Sequence, residues 1–415
     1  MKKCLIITLT LLLFMSMSSL ATNTRVFTMG DNNTILLDDA NIWIFPSRIN
    51  DYPNLAIGEF GQPGDFTEFG IHWKFKEENP CVLATYLHNS TAVYPMFSPF
   101  RTYYTPPYGY DPLFVPFDWA LMSNQRIDLL YGRKLGANQI PFGVRLSLIH
   151  SSQRNDIPTD MDEEGFTVYD LAAGLTLGGG LTDVAVGFQR MTWTDKGTFA
   201  ASSSTWDESK PKGNYLLYAD GRHFWQPGPL EWTIIPHAAI YIGKNEAEYF
   251  ELNDAVTDSL AQTDKYNWFG IELGAGIQFA PSNDAMAVID FGIRYDKLNG
   301  EFRNTDITIG THDASLKTTA VPFFRVGADL KVFNWMDLRL GATSYWNRHT
   351  RENDFPNKLI QNYADNATYL GFGFHWGNLH IDTYTEPDLF LDGFNFLSGR
   401  SNDMNLWISA LYEIM

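Results

Sequence analysis

The residues best placed to do chemistry sit one step out of phase with apolar runs. Glu272 lies between Ile271 and Leu273, Asp290 and Arg294 fall within Ile289–Tyr295, and Arg325 and Asp329 fall within Phe324–Leu330. Arg126 with Asp128, Arg145, Asp170, Asp220 with Arg222, Arg339, and His380 with Asp382 follow the same rule. Side chains alternate between the two faces of a strand, so the charges share one face and the apolar residues the other. On the inside of a water-filled barrel, such charges would line a selectivity path. Paired with one another, they would brace a wall instead. The lumen set that either reading rests on is Arg145, Glu272, Asp290, Arg294, Arg325 and Arg339.

Other chemistry has little support. There is no His-Glu-x-x-His, no Gly-x-Ser-x-Gly and no phosphate-binding glycine loop opening a helix, and the nine histidines are scattered. No catalytic residue and no cofactor is expected. Asp156, Asp160, Asp162, Glu163 and Glu164 cluster with oxygen ligands suited to Ca²⁺ or Mg²⁺, but the EF-hand glycine and terminal glutamate are not at their offsets. A solvated acidic loop is the better reading, and no metal site is assigned.

These charges need strands to position them. The clearest hairpin spans Tyr266 to Tyr295. Phe269, Ile271, Leu273, Ala275, Ile277 and Phe279 occupy every second position, and Ala287, Ile289, Phe291, Ile293 and Tyr295 resume the pattern after a Pro-Ser-Asn-Asp turn. Trp268, Phe279 and Tyr295 stand near its ends, as ring residues do at a membrane interface. The same alternation recurs about sixteen times. Short turns near 178–180, 226–228, 281–283, 333–335 and 376–377 alternate with long loops near 93–125, 154–164, 196–212, 245–265, 301–316, 351–366 and 387–405. Short turns at one end and long loops at the other mark an outer-membrane barrel.

Composition agrees. Charged residues make up 19% of the 415, against 33 glycines, 30 phenylalanines, 20 tyrosines and 12 tryptophans. Lys2 and Lys3, an apolar run from Leu5 to Met15 and Ser19-Leu20-Ala21 read as a secretory signal peptide over residues 1–21. A net charge of -18 excludes nucleic acid as a partner. The expected partners are outer-membrane lipid and lipopolysaccharide, a small-molecule solute, and a protein at the outer loops.

Residues 22–53 do not alternate and read as a plug segment outside the wall, with Asp38 and Ser47 as starts of helical turns. Arg25, Asp38, Asp39 and Asn41 are its candidate anchors. The longest loop carries Tyr94, Phe97, Phe100, Tyr103, Tyr104, Tyr108, Tyr110, Phe114 and Trp119, a candidate ligand-entry surface.

Arg25, Met29-Gly30, Asp38-Asp39-Ala40 and Pro46 resemble the start of the FadL-like outer-membrane proteins, the family of the long-chain fatty-acid transporter. The resemblance covers about 25 residues and is general elsewhere. It implies a hatch inside a 14-stranded barrel, a hydrophobic ligand near the outer mouth and a lateral exit through the wall. Phe45-Pro46-Ser47 stands where the family has Asn-Pro-Ala, and about 16 strands are counted here rather than 14.

The expectation is therefore an all-β chain: a transmembrane antiparallel β-barrel of about 14–16 strands over residues 54–415, with an N-terminal plug, in the outer membrane of a Gram-negative-type bacterium. Passive uptake of small hydrophobic molecules is the leading function. A general porin for hydrophilic solutes and a structural or secretion-associated scaffold are the alternatives.

Overall fold

The computed structural model describes residues 22–414 except 62–66, 76–79, 91–123, 158–159, 200–205, 228–230, 254–256, 283, 305–310, 354–357 and 386–405. The residues 1–21 and the aromatic loop from Tyr94 to Trp119 therefore lie outside the described residues.

The strands are β1 (Leu55–Phe60), β2 (Thr67–Phe75), β3 (Cys81–Ser90), β4 (Asn124–Leu135), β5 (Ile140–Ile157) and β6 (Asp160–Leu177). Next come β7 (Thr182–Phe199), β8 (Trp206–Pro211), β9 (Tyr215–His223), β10 (Trp232–Asn253), β11 (Thr257–Ser282) and β12 (Ala285–Asn304). The chain ends with β13 (Thr311–Phe333), β14 (Met336–Asn353), β15 (Leu359–Trp376), β16 (Leu379–Thr385) and β17 (Leu406–Glu413). Each pairs antiparallel with its neighbours, and β17 pairs with β1, which closes the sheet on itself. The short β8 and β9 both pair with β7 and β10, so they are one wall strand broken around Gly213, whose φ is +85°. Seventeen segments thus fill sixteen wall positions.

The period of two sorts every strand. Phe69, Ile71 and Trp73, then Leu146 and Leu148, then Ile289, Phe291 and Ile293 face outward and are exposed, while Arg145, Asp290 and Arg339 face inward and are buried. Trp335 stacks between Phe333 and Phe374, and Trp376 stacks on Phe374, which builds an exposed aromatic girdle at the short-turn end. Closure satisfies the backbone without a sheet edge, and an outward apolar band flanked by rings is what a bilayer demands of such a wall. The barrel resides in a Gram-negative outer membrane.

Two expectations change. The stretches read as long loops at 154–164, 196–212, 245–265, 301–316 and 351–366 are largely strand, because the hairpins continue past the apolar band. β11 runs for 26 residues, whereas about 9–11 suffice to cross a bilayer. Above the membrane both faces meet water, so pairing persists while the apolar alternation is lost. Trp268 is the other correction: it is not an outward girdle residue. It shares the inward parity of Glu272, is 8% exposed and stacks on Tyr266 at 6.2 Å.

Candidate functional site in the barrel interior

Residues 22–53 lie against the inward face of the wall. They form α1 (Asn23–Thr28) and two 3-10 turns, Asp39–Trp43 and Pro46–Asp51. Thr22 caps α1, and Asp38 with Asn41 forms a capping box for the first 3-10 turn. The second begins at Pro46 rather than Ser47, because proline presets the helical φ at a first position.

Apolar side chains seat the segment. Val26, Ile42, Trp43 and Ile49 pack on Leu55, Ile57, Val82, Tyr86 and Leu130 of the wall. Met29, Ile35 and Leu36 pack on Phe224, Ile235 and Val288. Each such side chain contributes roughly 1.5–3 kcal/mol on full burial. Inward glycines let the backbones touch. A β-carbon at Gly143 would overlap the Pro46 carbonyl, and one at Gly327 or Gly341 would run into the Thr28–Gly30 backbone. Gly276 receives Ile35, and Gly371 receives Thr28, in the same way.

Charges then pin it. Arg222 donates to the carbonyls of Thr34 and Leu36 at 2.9 Å each and to Asn41 Oδ1 at 2.8 Å. Its Nε donates to Asp183 at 2.7 Å, and Arg48 of the segment donates to the same carboxylate at 3.0 Å. Ser47 and Thr176 hydroxyls meet at 2.8 Å, and Arg145 donates to the Trp43 carbonyl. On the opposite wall, Arg25 donates to Asp329 at 3.1 Å, Asn23 donates to Glu59, and Thr22 donates to Asp382 at 3.0 Å. Arg339 donates to Asp382 and Asp329 and so ties those anchors together. All these contacts lie toward the short-turn end.

The sequence-derived anchors divide accordingly. Arg25 and Asn41 reach the wall, through Asp329 and Arg222 respectively. Asp38 works within the segment, capping Ala40 and pairing with Arg25. Asp39 is hydrogen-bonded to Asp38 and buried, with one oxygen unpartnered. Burial, reinforced by the Asp38 charge, pushes its carboxyl well above the usual carboxylate range. The wall contacts of Arg48, Ser47 and Thr22 are not legible in the sequence. Their partners are more than a hundred residues away, and nothing in the segment's own pattern marks them.

Toward the long-hairpin end the interior changes character. Arg145 pairs with Asp170 at 2.6 Å, and Tyr218 donates to the same carboxylate at 2.8 Å. Arg325 donates to Asp290 at 3.2 Å, to Glu272 at 3.3 Å and to the Tyr345 hydroxyl at 2.9 Å. Arg294 pairs with Asp296 at 2.8 Å. All six lumen residues of the sequence reading thus face inward in ion pairs, with Arg145 and Arg339 also bracing the segment and the other four above it. Aromatic rings stand among them. Tyr218 lies across Gly187 and Tyr241 across Gly270, where any β-carbon would collide with the ring. The inward face was read as polar, and these rings are its unforeseen part. The acidic cluster at 156–164 falls in the β5–β6 hairpin, with its side chains outside the described residues. Among the described residues, no group of three or more His, Cys, Asp or Glu is arranged to hold a metal ion.

No family model matches the chain, and neither does any curated protein. Solved structures similar to it include the ferric yersiniabactin uptake receptor FyuA from Yersinia pestis, at 6% identity and TM-score 0.38 over 87% of this chain and 80% of that one. The ferric-catecholate import receptor Fiu from E. coli K12, in its closed form, is similar at 7% identity and TM-score 0.36 over 86% and 81%. CdiB from Escherichia coli is similar at 7% identity and TM-score 0.42 over 87% of this chain and 63% of that one. Likenesses this weak decide nothing about what the chain carries.

Proposed function

We propose that the barrel is an outer-membrane channel for passive uptake of small hydrophobic molecules, with residues 22–53 as its plug. The observation that carries this reading is the seating of that segment. It contacts inward residues on opposite sides of the short-turn half, with hydrogen bonds to Asp183, Arg222, Asp329 and Asp382. The inward rings Tyr218, Tyr241 and Trp268 add aromatic surface among the paired charges of the other half. The resemblance of Arg25, Met29-Gly30 and Asp38-Asp39-Ala40 to FadL-like proteins supports the same assignment. A general porin fits less well, because it needs a continuous water path past the segment.

Proteoliposomes test the assignment. A hydrophobic fluorescent solute should enter faster with the protein than without it, whereas small sugars should not. Sugar entry that falls off only with molecular size would establish the porin reading instead. Entry of neither class would favour a scaffold.

A further inference from the structure

We infer that the outer face of the wall carries a binding site for the phosphate groups of an outer-leaflet glycolipid, built by Lys297, Lys317 and Arg348. All three lie on the outward parity. Lys297 continues the row of Ile289, Phe291, Ile293 and Tyr295 on β12, and Arg348 follows the exposed Trp346 on β14. The register puts Lys297 directly opposite Lys317, and Lys317 opposite Thr350. Arg348 lies opposite Thr319, two residues along β13 from Lys317. Residues directly opposite have β-carbons about 4.5–5.5 Å apart. Three cations and two hydroxyls therefore occupy one patch across three adjacent strands, with Arg348 exposed and both lysines partly so.

Such a patch calls for an anion. Like charges directly opposite on a sheet repel, and this pair stands on a chain whose net charge is -18. Glu352 lies within electrostatic reach of both lysines, but it already accepts a hydrogen bond from Lys358. The next outward carboxylate on β12, Glu301, faces Lys265 across the ladder. Lysines elsewhere on the tall hairpins have carboxylates of their own, Lys244 with Glu246 at 2.7 Å and Lys212 with Glu248. At the patch, Lys297, Lys317, Arg348 and Lys358 stand against Glu352, and the surplus is positive.

The level of the patch identifies its occupant. Tyr295 and Trp346 end the outward apolar rows of their strands, and such rings favour headgroup depth. Lys297 and Arg348 each lie one alternation further toward the hairpin end, about 7 Å along the strand. In barrels of this kind the tall hairpins are on the external side, so the patch meets the outer leaflet. Long basic side chains lay their stems on apolar surface and keep their charged heads at the headgroups. Two lysines and an arginine there match the phosphates of a glycolipid through charge-assisted hydrogen bonds. The site lies outside the barrel, so its failure leaves the uptake reading standing, and failure of uptake leaves the site standing.

Calorimetry on the folded protein in detergent tests it, with diphosphorylated lipid A as probe and its dephosphorylated form and inorganic phosphate as controls. Diphosphorylated lipid A should bind saturably, and both controls about ten-fold more weakly or worse. Lys297→Gln and Lys317→Gln should each weaken binding about five-fold. Lys212→Gln, whose charge is already paired, should leave it unchanged. Arg348→Gln provides a further variant should a lysine variant fail to fold. Absence of saturable binding, equal affinity for either control, parental affinity in the folded patch variants, or an equal loss in Lys212→Gln would each overturn the proposal.

Discussion

The two halves of the barrel interior follow opposite rules. In the short-turn half, charges bridge the gap between segment and wall. Arg222 alone engages one carboxylate, backbone carbonyls and Asn41. In the hairpin half, wall charges pair with one another, as Arg325 does with Asp290 and Glu272, and rings lie against the wall at Gly187 and Gly270. The difference teaches that charge on the inward face has two uses in this molecule, tying the segment to the wall in one half and bracing the wall strands against one another in the other.

The contrast can be broken from the short-turn side. Arg222→Ala should have the largest effect, because it leaves the buried Asp183 with Arg48 as its one charged partner and strips the segment of its main donor. Removing one partner of a buried pair costs about 3–5 kcal/mol. The midpoint of denaturant unfolding should fall accordingly, and residues 22–53 should become susceptible to protease.

Gly341→Leu should come next. Its side chain would occupy the path of the Thr28–Gly30 backbone, and overpacking of this kind costs about 1–3 kcal/mol. The wall strands should still pair, so far-UV circular dichroism should hold while protease cuts the segment. Ser47→Ala removes one buried hydrogen bond, to Thr176, and should cost only about 0.5–1.5 kcal/mol in the same unfolding assay.

The smallest effect concerns Asp39. Its carboxyl is raised by burial, so the folded state holds a proton that the unfolded chain releases. A raised carboxylate contributes stability at low pH that is lost as pH climbs through its folded value. Thermal stability should therefore slope downward with pH above the ordinary carboxylate range. Asp39→Asn should flatten that slope and cost little at neutral pH. An unchanged slope would assign the proton elsewhere.

The sequence made the wall legible because lipid enforces it: Phe269, Ile271 and Leu273 must face outward together, and Glu272 must then face in. Trp268 was misplaced because it is apolar yet lies on the inward parity, where a ring can stack on Tyr266. The tall hairpins were hidden because water on both faces removes the pattern that marks a strand. Inward Arg222 and Arg145 could be read, but their partners could not. Each bonds a backbone carbonyl of the segment from more than a hundred residues away, and any residue carries a carbonyl. Gly143 and Gly327 look like ordinary strand glycines until the segment is laid across them.

The central claim is that residues 22–53 close the barrel. Single-channel recording in a planar bilayer tests it most directly, comparing the intact protein with the Arg222→Ala variant and with a version lacking residues 22–53. The intact protein should conduct little, Arg222→Ala should open intermittently, and the shortened version should give large steady openings. Large steady openings of the intact protein would contradict the claim, as would a shortened version that refolds as a barrel and stays closed.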